Sequence, residues 1–112
     1  MSSGWYELKK AKDGQFHFNL KSGNGETVLS SELYKTRASA ENGIASVQKN
    51  CMEEKRFAPG VSANGQFYFT LKAGNNEVIG QSEMYGSESA RDRGIRSVKE
   101  NGISKMIKDL AG

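Results

Sequence analysis

The stretch GQFHFNLKSGNGE at residues 14–26 recurs as GQFYFTLKAGNNE at residues 65–77, displaced by 51 positions. Each copy alternates apolar and polar side chains over Phe-x-Phe-x-Leu, as expected for a strand with one buried face. A loop rich in glycine and asparagine follows, and these residues readily adopt the positive φ values of tight hairpin turns. The stretch therefore predicts two β-hairpins of the same design.

The repeat extends well beyond the hairpins. Asp13–Asn50 aligns with Asn64–Asn101 without a gap, and roughly 17 of about 38 positions are identical, which is too many for chance. A chain of 112 residues has the size of one domain and can bury one core. We therefore expect a single domain over residues 1–112, built of two units at about residues 4–53 and 54–110.

Three strands are predicted in each unit. Trp5–Lys10 and Arg56–Val61 precede the hairpins as candidate first strands. Pro59 lacks an N–H donor, so it places the second of these at a sheet edge or at a bulge. Glu26–Leu29 and Glu77–Gly80 return from the hairpin loops as third strands.

One helix follows the strands in each unit. Thr36 and Ser87 are suitable N-caps for helices that run to about Lys49 and Glu100, with apolar side chains at helical spacing. Short closing strands are expected after the helices, at Met52–Lys55 and Lys105–Leu110. Three strands and one helix, present twice, indicate an α+β fold.

Glycine occupies equivalent positions inside both predicted helices, Gly43 and Gly94. An interior glycine costs a helix about 1 kcal/mol relative to alanine, so some contact must favour it. We expect close approach of the helix backbone to the sheet or to the other helix. Approach of a ligand to the helix is the alternative.

The composition excludes several classes of protein. Sixteen basic and thirteen acidic residues give a net charge of +3 and a pI near 9.0, a mild excess that favours an acidic partner. Cys51 has no partner for a disulfide, and with His17 as the only histidine there is no set of zinc ligands. No signal peptide or membrane span is evident, so we expect a cytoplasmic protein without cofactor or metal.

Three paired motifs resemble the signature of the YegP-like family of small bacterial proteins in its duplicated form: Gly-Gln-Phe-x-Phe-x-Leu-Lys-x-Gly-Asn-x-Glu, Ser-Glu-x-Tyr and Gly-Ile-x-Ser-Val. The resemblance covers nearly the whole chain, and Asn76 and Gly80 are small departures that bear on the rigidity of the second hairpin. It implies two β(3)-α-β units in one antiparallel-rich sheet, with the strand after each helix exchanged between units. It also implies a pseudo-two-fold symmetric monomer whose repeats mimic a dimer, but no activity.

A duplicated polar set accompanies the hairpins: Lys21, Asn24, Glu26, Ser31, Glu32 and Tyr34, with Lys72, Asn75, Glu77, Ser82, Glu83 and Tyr85. As a site, it would form two equivalent pockets in which lysine and asparagine hold an anionic or amide group and glutamate orients it. Paired-carboxylate catalysis would need both units, because Glu26 and Glu32 lie at opposite ends of one predicted strand. As structure, which we favour, asparagine shapes the turn, lysine pairs with glutamate across the strands, and tyrosine fills the core.

Three further candidates involve aromatic, basic or thiol groups. Trp5, His17 and Tyr68 lie away from the helices if the Phe-x-Phe face is the covered one, and bases or an extended peptide could stack there. On the second helix, Arg93 and Arg96 could track phosphates, although pairing of the helix arginines with Glu88, Asp92 and Glu100 is favoured. A nucleophile-base pair of Cys51 and His17 is disfavoured, since neither recurs in the other unit.

The sequence thus predicts a non-enzymatic binding module that acts through the open face of its sheet on a protein or a nucleic acid. Nucleic-acid binding is the first alternative. A small-molecule or enzymatic site built from the duplicated lysine, asparagine, glutamate and tyrosine residues is the second. No catalytic residue is assigned.

Overall fold

A computed structural model describes residues 4–112, which form seven strands and two α-helices. In chain order these are β1 (Trp5–Lys10), β2 (Phe16–Lys21), β3 (Thr27–Ser31), α1 (Arg37–Asn50), β4 (Phe57–Val61), β5 (Phe67–Lys72), β6 (Val78–Gln81), α2 (Glu88–Asn101) and β7 (Ile107–Asp109). A short 3-10 helix, Glu54–Arg56, precedes β4. The predicted α+β fold is confirmed.

All seven strands belong to one sheet, in the order β4-β5-β6-β3-β2-β1-β7. Each unit contributes three antiparallel strands, and the two sets join where β3 pairs with β6. At this junction Ser30 pairs with Gln81, which is its own equivalent in the other unit. The pseudo-two-fold axis therefore passes between these two residues.

Of the two predicted closing strands, the second forms. β7 pairs in parallel with β1, so the strand after α2 joins the other unit, as the resemblance implied. The strand expected at Met52–Lys55 is wrong: these residues form a turn and enter the 3-10 helix, because the segment between α1 and β4 is too short for a further strand. β4 is consequently an edge strand, which agrees with the prediction from Pro59.

The two helices cover one face of the sheet, where they contact β2, β3, β5 and β6. The Phe-x-Phe-x-Leu pattern places Phe18, Leu20, Phe69 and Leu71 beneath them, fully buried, as its period predicts. Removing each such side chain from water contributes about 1.5–3 kcal/mol. These residues belong to one hydrophobic cluster that is continuous across both units.

The returning strand of each unit carries a bulge. Leu20 pairs with Leu29 but Lys21 pairs with Thr27, so Val28 is an extra residue, and Ile79 is the extra residue of the second unit. A bulge turns two consecutive side chains toward the same side. This is why Val28 and Leu29 are both buried, which simple alternation would not predict. The third strands also begin one residue later than predicted and end beyond the predicted limits.

The hairpin loop keeps its shape in the second unit. Gly25 has a φ of 86°, and Asn76 at the equivalent position has a φ of 70°. Asparagine tolerates this left-handed conformation better than other residues with a side chain. The departure from glycine at this position therefore leaves the turn intact.

The helix ends agree closely with the sequence prediction. Thr36 and Ser87 are the N-caps, and each side-chain oxygen accepts the backbone N–H three residues further on. The helices end at Asn50 and Asn101, one residue beyond the prediction. Each asparagine amide donates to the carbonyl four residues earlier, at 2.8 and 2.9 Å, which satisfies a buried polar side chain at the helix end.

Tyr6 ties β1 to the end of α2. Its ring is fully buried, and its hydroxyl donates to the carbonyl of Gly102 at 2.7 Å. Burial, and secondarily the Cys51 thiol, raise the pKa of Tyr6 far above its ordinary value of 10.0. Below pH 10 the Tyr6 hydroxyl is protonated in both the folded and the unfolded chain. Above about pH 10 the unfolded chain loses this proton, whereas the folded chain keeps it.

We therefore expect stability contributed by Tyr6 to be constant through neutral pH and to fall above about pH 10, by about 1.4 kcal/mol per pH unit. Tyr6→Phe should lower the free energy of unfolding by about 1–3 kcal/mol near pH 8, because the Gly102 carbonyl loses its donor. The variant should also lose less stability in alkali. Urea unfolding at about pH 8, 10 and 11 measures both effects, and equal alkaline losses in the two proteins would contradict this role of Tyr6.

Candidate functional site

Two clefts open between the hairpin loops and the helices, one on each side of the pseudo-two-fold axis. Cleft 1 has a volume of about 760 Å³ and lies between the β2–β3 loop of the first unit and α2 of the second. Cleft 2 has a volume of about 550 Å³ and lies between the β5–β6 loop of the second unit and α1 of the first. Both units therefore contribute to each cleft.

The two clefts are lined by equivalent residues. All twelve residues that line cleft 2 have their counterparts, 51 positions away in the sequence, in the lining of cleft 1. Among the residues identical in both are an asparagine, two glutamates, a tyrosine and a helix glycine. In cleft 1 these are Asn24, Glu26, Glu83, Tyr85 and Gly94. In cleft 2 they are Asn75, Glu77, Glu32, Tyr34 and Gly43.

The tyrosine of each cleft lies against the helix glycine. The backbone of Tyr34 pairs with the start of β2, and its ring stacks on Phe18 with centroids 6.3 Å apart. A Cβ atom at Gly43 would lie 2.5 Å from the Tyr34 hydroxyl oxygen, so a side chain there would collide with the ring. Gly94 meets Tyr85 in the same way. The predicted close approach is confirmed, and the contacting group is a tyrosine side chain.

Carboxylates from both units surround each tyrosine hydroxyl. Burial raises the pKa of Tyr85 above its ordinary value of 10.0, and Glu83 and then Glu26 raise it further. Burial and the two equivalent glutamates raise the pKa of Tyr34. Both phenols therefore stay protonated at neutral pH. Neither hydroxyl forms a hydrogen bond with another residue of the described range 4–112.

The two carboxylates that the clefts share at equivalent positions are held differently. The amide of Asn24 donates to Glu26 Oε1 at 2.8 Å, and Asn75 donates to Glu77 at 3.0 Å, so the hairpin loop fixes one carboxylate in each cleft. The other carboxylate belongs to the Ser-Glu-x-Tyr motif and has neither hydrogen bond nor ion pair within residues 4–112. At equivalent positions, each cleft thus presents a carboxylate and a phenol hydroxyl that no side chain within residues 4–112 satisfies.

The clefts differ in charged residues on their helices. Arg93 lines cleft 1 where Asn42 lines cleft 2, and Glu100 lines cleft 1 as well. The lining of cleft 2 contains two glutamates and no basic residue, whereas that of cleft 1 contains three glutamates and one arginine. Both linings therefore carry a net charge of −2.

The lysines and serines of the duplicated polar set do not join the clefts. Lys21 lies on the opposite sheet face and donates to Thr27 Oγ1 at 2.7 Å, so the expected pairing of lysine with glutamate across the strands is wrong. Lys72 has the same orientation in the second unit, since it alternates with buried Leu71. Ser31 accepts the N–H of Phe18, which is a structural role, and Ser82 does the same for Phe69.

The sheet face opposite the helices is covered by no element within residues 4–112, and we call it the open face. Its principal residues are Trp5, Glu7, Lys9, His17, Asn19, Lys21, Ser30, Tyr68, Thr70, Lys72, Gln81 and Lys108. Trp5, His17 and Tyr68 lie on it, as the alternation predicts. They form no cluster, because Trp5 on β1 and Tyr68 on β5 are four strand positions apart, roughly 19 Å.

The arginines of α2 lie on the other side of the sheet from these aromatic residues. Arg93 and Arg96 are exposed and form no ion pair with another described residue. Arg91 pairs with the adjacent Asp92 at 3.1 Å, not with an acidic residue three or four positions away as predicted. The five candidate binding residues of the sequence analysis therefore belong to two separate surfaces.

The cysteine and the histidine are also separated by the sheet. Cys51 is buried among the core residues, and burial raises the pKa of its thiol. His17 lies on the open face. A thiol-imidazole pair is therefore excluded by geometry. Within residues 4–112 there is no cluster of three or more histidine, cysteine, aspartate or glutamate residues suited to a metal, and no helix with the length and apolar character of a membrane span.

Some cleft residues were not singled out from the sequence. Ser46 and Ser97 line the helix walls, and Leu33 and Met84 lie at the mouths with 55% and 41% of their surface exposed. The serines are identical in the two aligned units, which was the available signal. The apolar mouth residues carried no such signal, because a single exposed leucine or methionine is ordinary.

Comparison with known proteins agrees with the internal repeat. The model of a domain of unknown function, DUF1508, matches residues 11–57 and again residues 62–109. UPF0339 protein ACIAD0721 of Acinetobacter baylyi is 59% identical over 110 residues, which cover 98% of this chain and 99% of that protein. UPF0339 protein YegP of Escherichia coli K12 is 53% identical over 107 residues, which cover 96% and 97%.

Two solution NMR structures have the same fold. That of yegP from E. coli, a protein of unknown function, superposes with a TM-score of 0.95 at 52% identity and covers 100% of this chain and 97% of its own. That of UPF0339 protein SO3888 from Shewanella oneidensis gives 0.92 at 55% identity, with 97% and 92% covered. The chain therefore belongs to the DUF1508 (UPF0339) family of YegP-like proteins, a family of unknown function, and carries two copies of its domain.

Proposed function

We propose that this protein is a non-enzymatic binding module that takes a small organic cation, such as an alkylammonium group, in each of its two clefts. The observation that carries the proposal is the recurrence of an unpaired carboxylate beside an unpaired phenol hydroxyl at equivalent positions in both clefts. The asparagine, the helix glycine and the tyrosine ring all have structural roles. The Ser-Glu-x-Tyr carboxylate has none, so its presence in both units requires another reason.

The charge of the clefts favours a cation over the anionic or amide group considered from the sequence. Lys21 and Lys72 were the expected anion-binding residues, and both lie on the open face. The lining that remains carries a net charge of −2 in each cleft. An ammonium group between two carboxylates would form charge-assisted hydrogen bonds, which are about twice as strong as neutral ones.

The mouths of the clefts favour an organic cation over a bare ion. Leu33 and Met84 expose apolar surface directly beside the Ser-Glu-x-Tyr carboxylates. A ligand with a methylene chain and a charged end can cover such a side chain while its charge reaches the carboxylates. This combination suits a free diamine or the lysine side chain of a peptide.

The properties of the tyrosines favour binding without catalysis. A general base must be able to accept a proton near the working pH, whereas burial and the neighbouring carboxylates raise the pKa of both phenols. The thiol of Cys51 is buried and outside the lining of both clefts. The arrangement therefore supplies charge and shape to a ligand without an activated nucleophile.

The test is an amide NMR titration at low salt with diaminobutane, in parallel with a short lysine-containing peptide. We expect two sets of shifts, one around Asn24 and Tyr85 and one around Asn75 and Tyr34. Glu83→Gln should weaken binding in cleft 1 by about tenfold or more, because a hydrogen bond to a charged group is worth about 1.5–3 kcal/mol. Cleft 2 of the same variant is the internal control.

A second pair of variants separates specific binding from attraction to negative charge. Arg93→Asn gives cleft 1 the residue found in cleft 2 and should strengthen binding there. Glu41→Gln removes the same charge from an exposed position of α1 outside both linings and should change neither affinity. Equal weakening by Glu41→Gln and Glu83→Gln, or absence of shifts at either cleft with both probes, would refute the proposal.

A further inference from the structure

The open face carries the whole excess of positive charge. Its charged residues are Lys9, Lys21, Lys72, Lys108 and Glu7. The chain has sixteen basic and thirteen acidic residues, so setting aside four lysines and one glutamate leaves twelve of each sign on the rest of the molecule. The rest of the molecule is therefore neutral overall, and the charged residues of the open face account for the net charge of +3.

Glu7 offsets only one of these four lysines. Its carboxylate pairs with Lys9 at 3.4 Å and also interacts electrostatically with Lys21, so a net charge of +3 remains on the face. Lys21 and Lys72 occupy equivalent positions on β2 and β5 and form no ion pair with another described residue. Lys108 on β7 lies 4.3 Å from the centre of the Trp5 ring. The three positive charges are thus spread across the width of the sheet.

One aromatic ring on this face is positioned for stacking. Tyr68 pairs with Gly60 of β4, and a Cβ atom at Gly60 would lie 2.6 Å from the Tyr68 ring carbon that bears the hydroxyl. The ring therefore lies across the backbone of β4 and is half-buried. His17 has the equivalent position in the first unit. Trp5 is less available, because Lys108 lies over it and its N–H donates to Glu7 at 3.0 Å.

Uncharged polar groups lie between the lysines. Asn19 donates to Ser30 at 2.9 Å, and Thr70 and Gln81 are paired in register on the neighbouring strands. Amide and hydroxyl groups of this kind can donate to and accept from the edges of nucleic-acid bases. The face therefore combines separated positive charges, a flat ring and hydrogen-bonding groups on a surface with no covering element among residues 4–112.

We propose that the open face binds single-stranded nucleic acid, with Lys21, Lys72 and Lys108 contacting phosphates and Tyr68 stacking on a base. A single strand is favoured over a duplex because stacking on Tyr68 needs unpaired bases. The charge complementarity favours nucleic acid over a neutral protein partner. This inference does not depend on the clefts, which lie on the opposite side of the sheet.

The experiment is a titration of the full chain with oligothymidine and oligouridine of about 12 nucleotides, followed by amide NMR and fluorescence anisotropy. We expect shifts on β1, β2, β5 and β7 and none around the clefts. Three or four phosphate contacts predict that affinity falls roughly 20- to 50-fold between about 50 and 200 mM salt. Absence of binding at the lower salt concentration would overturn the proposal.

Matched variants distinguish the face from the overall charge of the protein. Lys21→Glu with Lys72→Glu should abolish binding at about 200 mM salt. Lys35→Glu with Lys55→Glu changes the net charge equally at exposed positions outside the face and should reduce affinity only slightly. Equal losses in the two double variants would overturn the proposal, because they would show attraction to charge without a site.

The stacking contact has its own control. Tyr68→Ala should lower affinity by about 5- to 160-fold, since stacking of one base is worth about 1–3 kcal/mol. Tyr68→Phe keeps the ring and should bind nearly as well as the native chain. Thermal unfolding shows whether either variant is folded at the temperature of the titration. The proposal would be overturned if folded Tyr68→Ala kept its affinity and polyglutamate displaced the labelled oligonucleotide as well as oligothymidine does. Those results would show that the open face binds acidic polymers in general.

Discussion

Gly80→Leu is expected to lower the free energy of unfolding by about 3 kcal/mol or more, a large effect for a single substitution in a domain of this size. Gly80 lies in β6 beside the pseudo-two-fold axis, and its equivalent in the first unit is Leu29. A Cβ atom at Gly80 would lie 2.8 Å from the carbonyl oxygen of Ser30 and 3.0 Å from Leu29 Cγ. One leucine fills the space at the axis, so a second one has no room.

Exchanging the two residues tests this explanation. Leu29→Gly alone removes a fully buried side chain and should cost about 3–5 kcal/mol. The double variant Leu29→Gly with Gly80→Leu places the single leucine on the other side of the axis. We expect its loss in free energy of unfolding to be at most about half of the sum of the two single losses. Urea unfolding of the four proteins measures the cycle. Simple additivity would show that the two positions do not share one space.

The same junction shows why the sequence predicted the units better than their assembly. The Phe-x-Phe-x-Leu alternation and the N-caps are local signals, and they correctly placed the hairpins and both helices. The pairing of β3 with β6 consists of two residue pairs whose members are 51 and 49 positions apart in the sequence. No local pattern encodes that register, so the space shared by Leu29 and Gly80 could not be foreseen.

The failed prediction of a strand after α1 has a similar cause. The segments after α1 and α2 are equivalent, and an aligned repeat suggests the same structure for both. The first segment must enter β4 at once, whereas the second leads to no further unit and can pair with β1. The two segments therefore differ because of the strands next to them in the chain, and an alignment of the two units does not contain that difference.

The sequence identified the residues of the candidate site but not how they are divided between the two clefts. The identity of the two units singled out the asparagine, glutamate and tyrosine residues that line the clefts. That each cleft takes its loop from one unit and its tyrosine from the other depends on the crossing at the axis. The position of Lys21 could have been predicted from the sequence. Lys21 follows the buried Leu20, so the alternation of a strand places it on the open face.

Gly43→Ala is expected to destabilise the protein by about 2 kcal/mol, although the same change inside an exposed helix usually stabilises by about 1 kcal/mol. The added methyl group would lie 2.5 Å from the Tyr34 hydroxyl oxygen and 2.9 Å from Phe18 Cε2. Tyr34 cannot retreat easily, because its ring stacks on Phe18 and its backbone is bonded to β2. Asn42→Ala, on an exposed position of the same helix, is the matched control and should be neutral or mildly stabilising.

Removing the tyrosine should reverse the sign of this effect. In a Tyr34→Ala background the methyl group gains space, so Gly43→Ala should become neutral or stabilising by up to about 1 kcal/mol, which a double-mutant cycle by urea unfolding detects. A cost that persists in that background would place the constraint elsewhere, in the packing of α1 on the sheet. Because Gly43→Ala displaces the phenol of cleft 2 only, diaminobutane should lose affinity there and keep it in cleft 1. The one substitution thereby connects the helix glycine, which the sequence marked as unusual, to the binding proposed for the cleft.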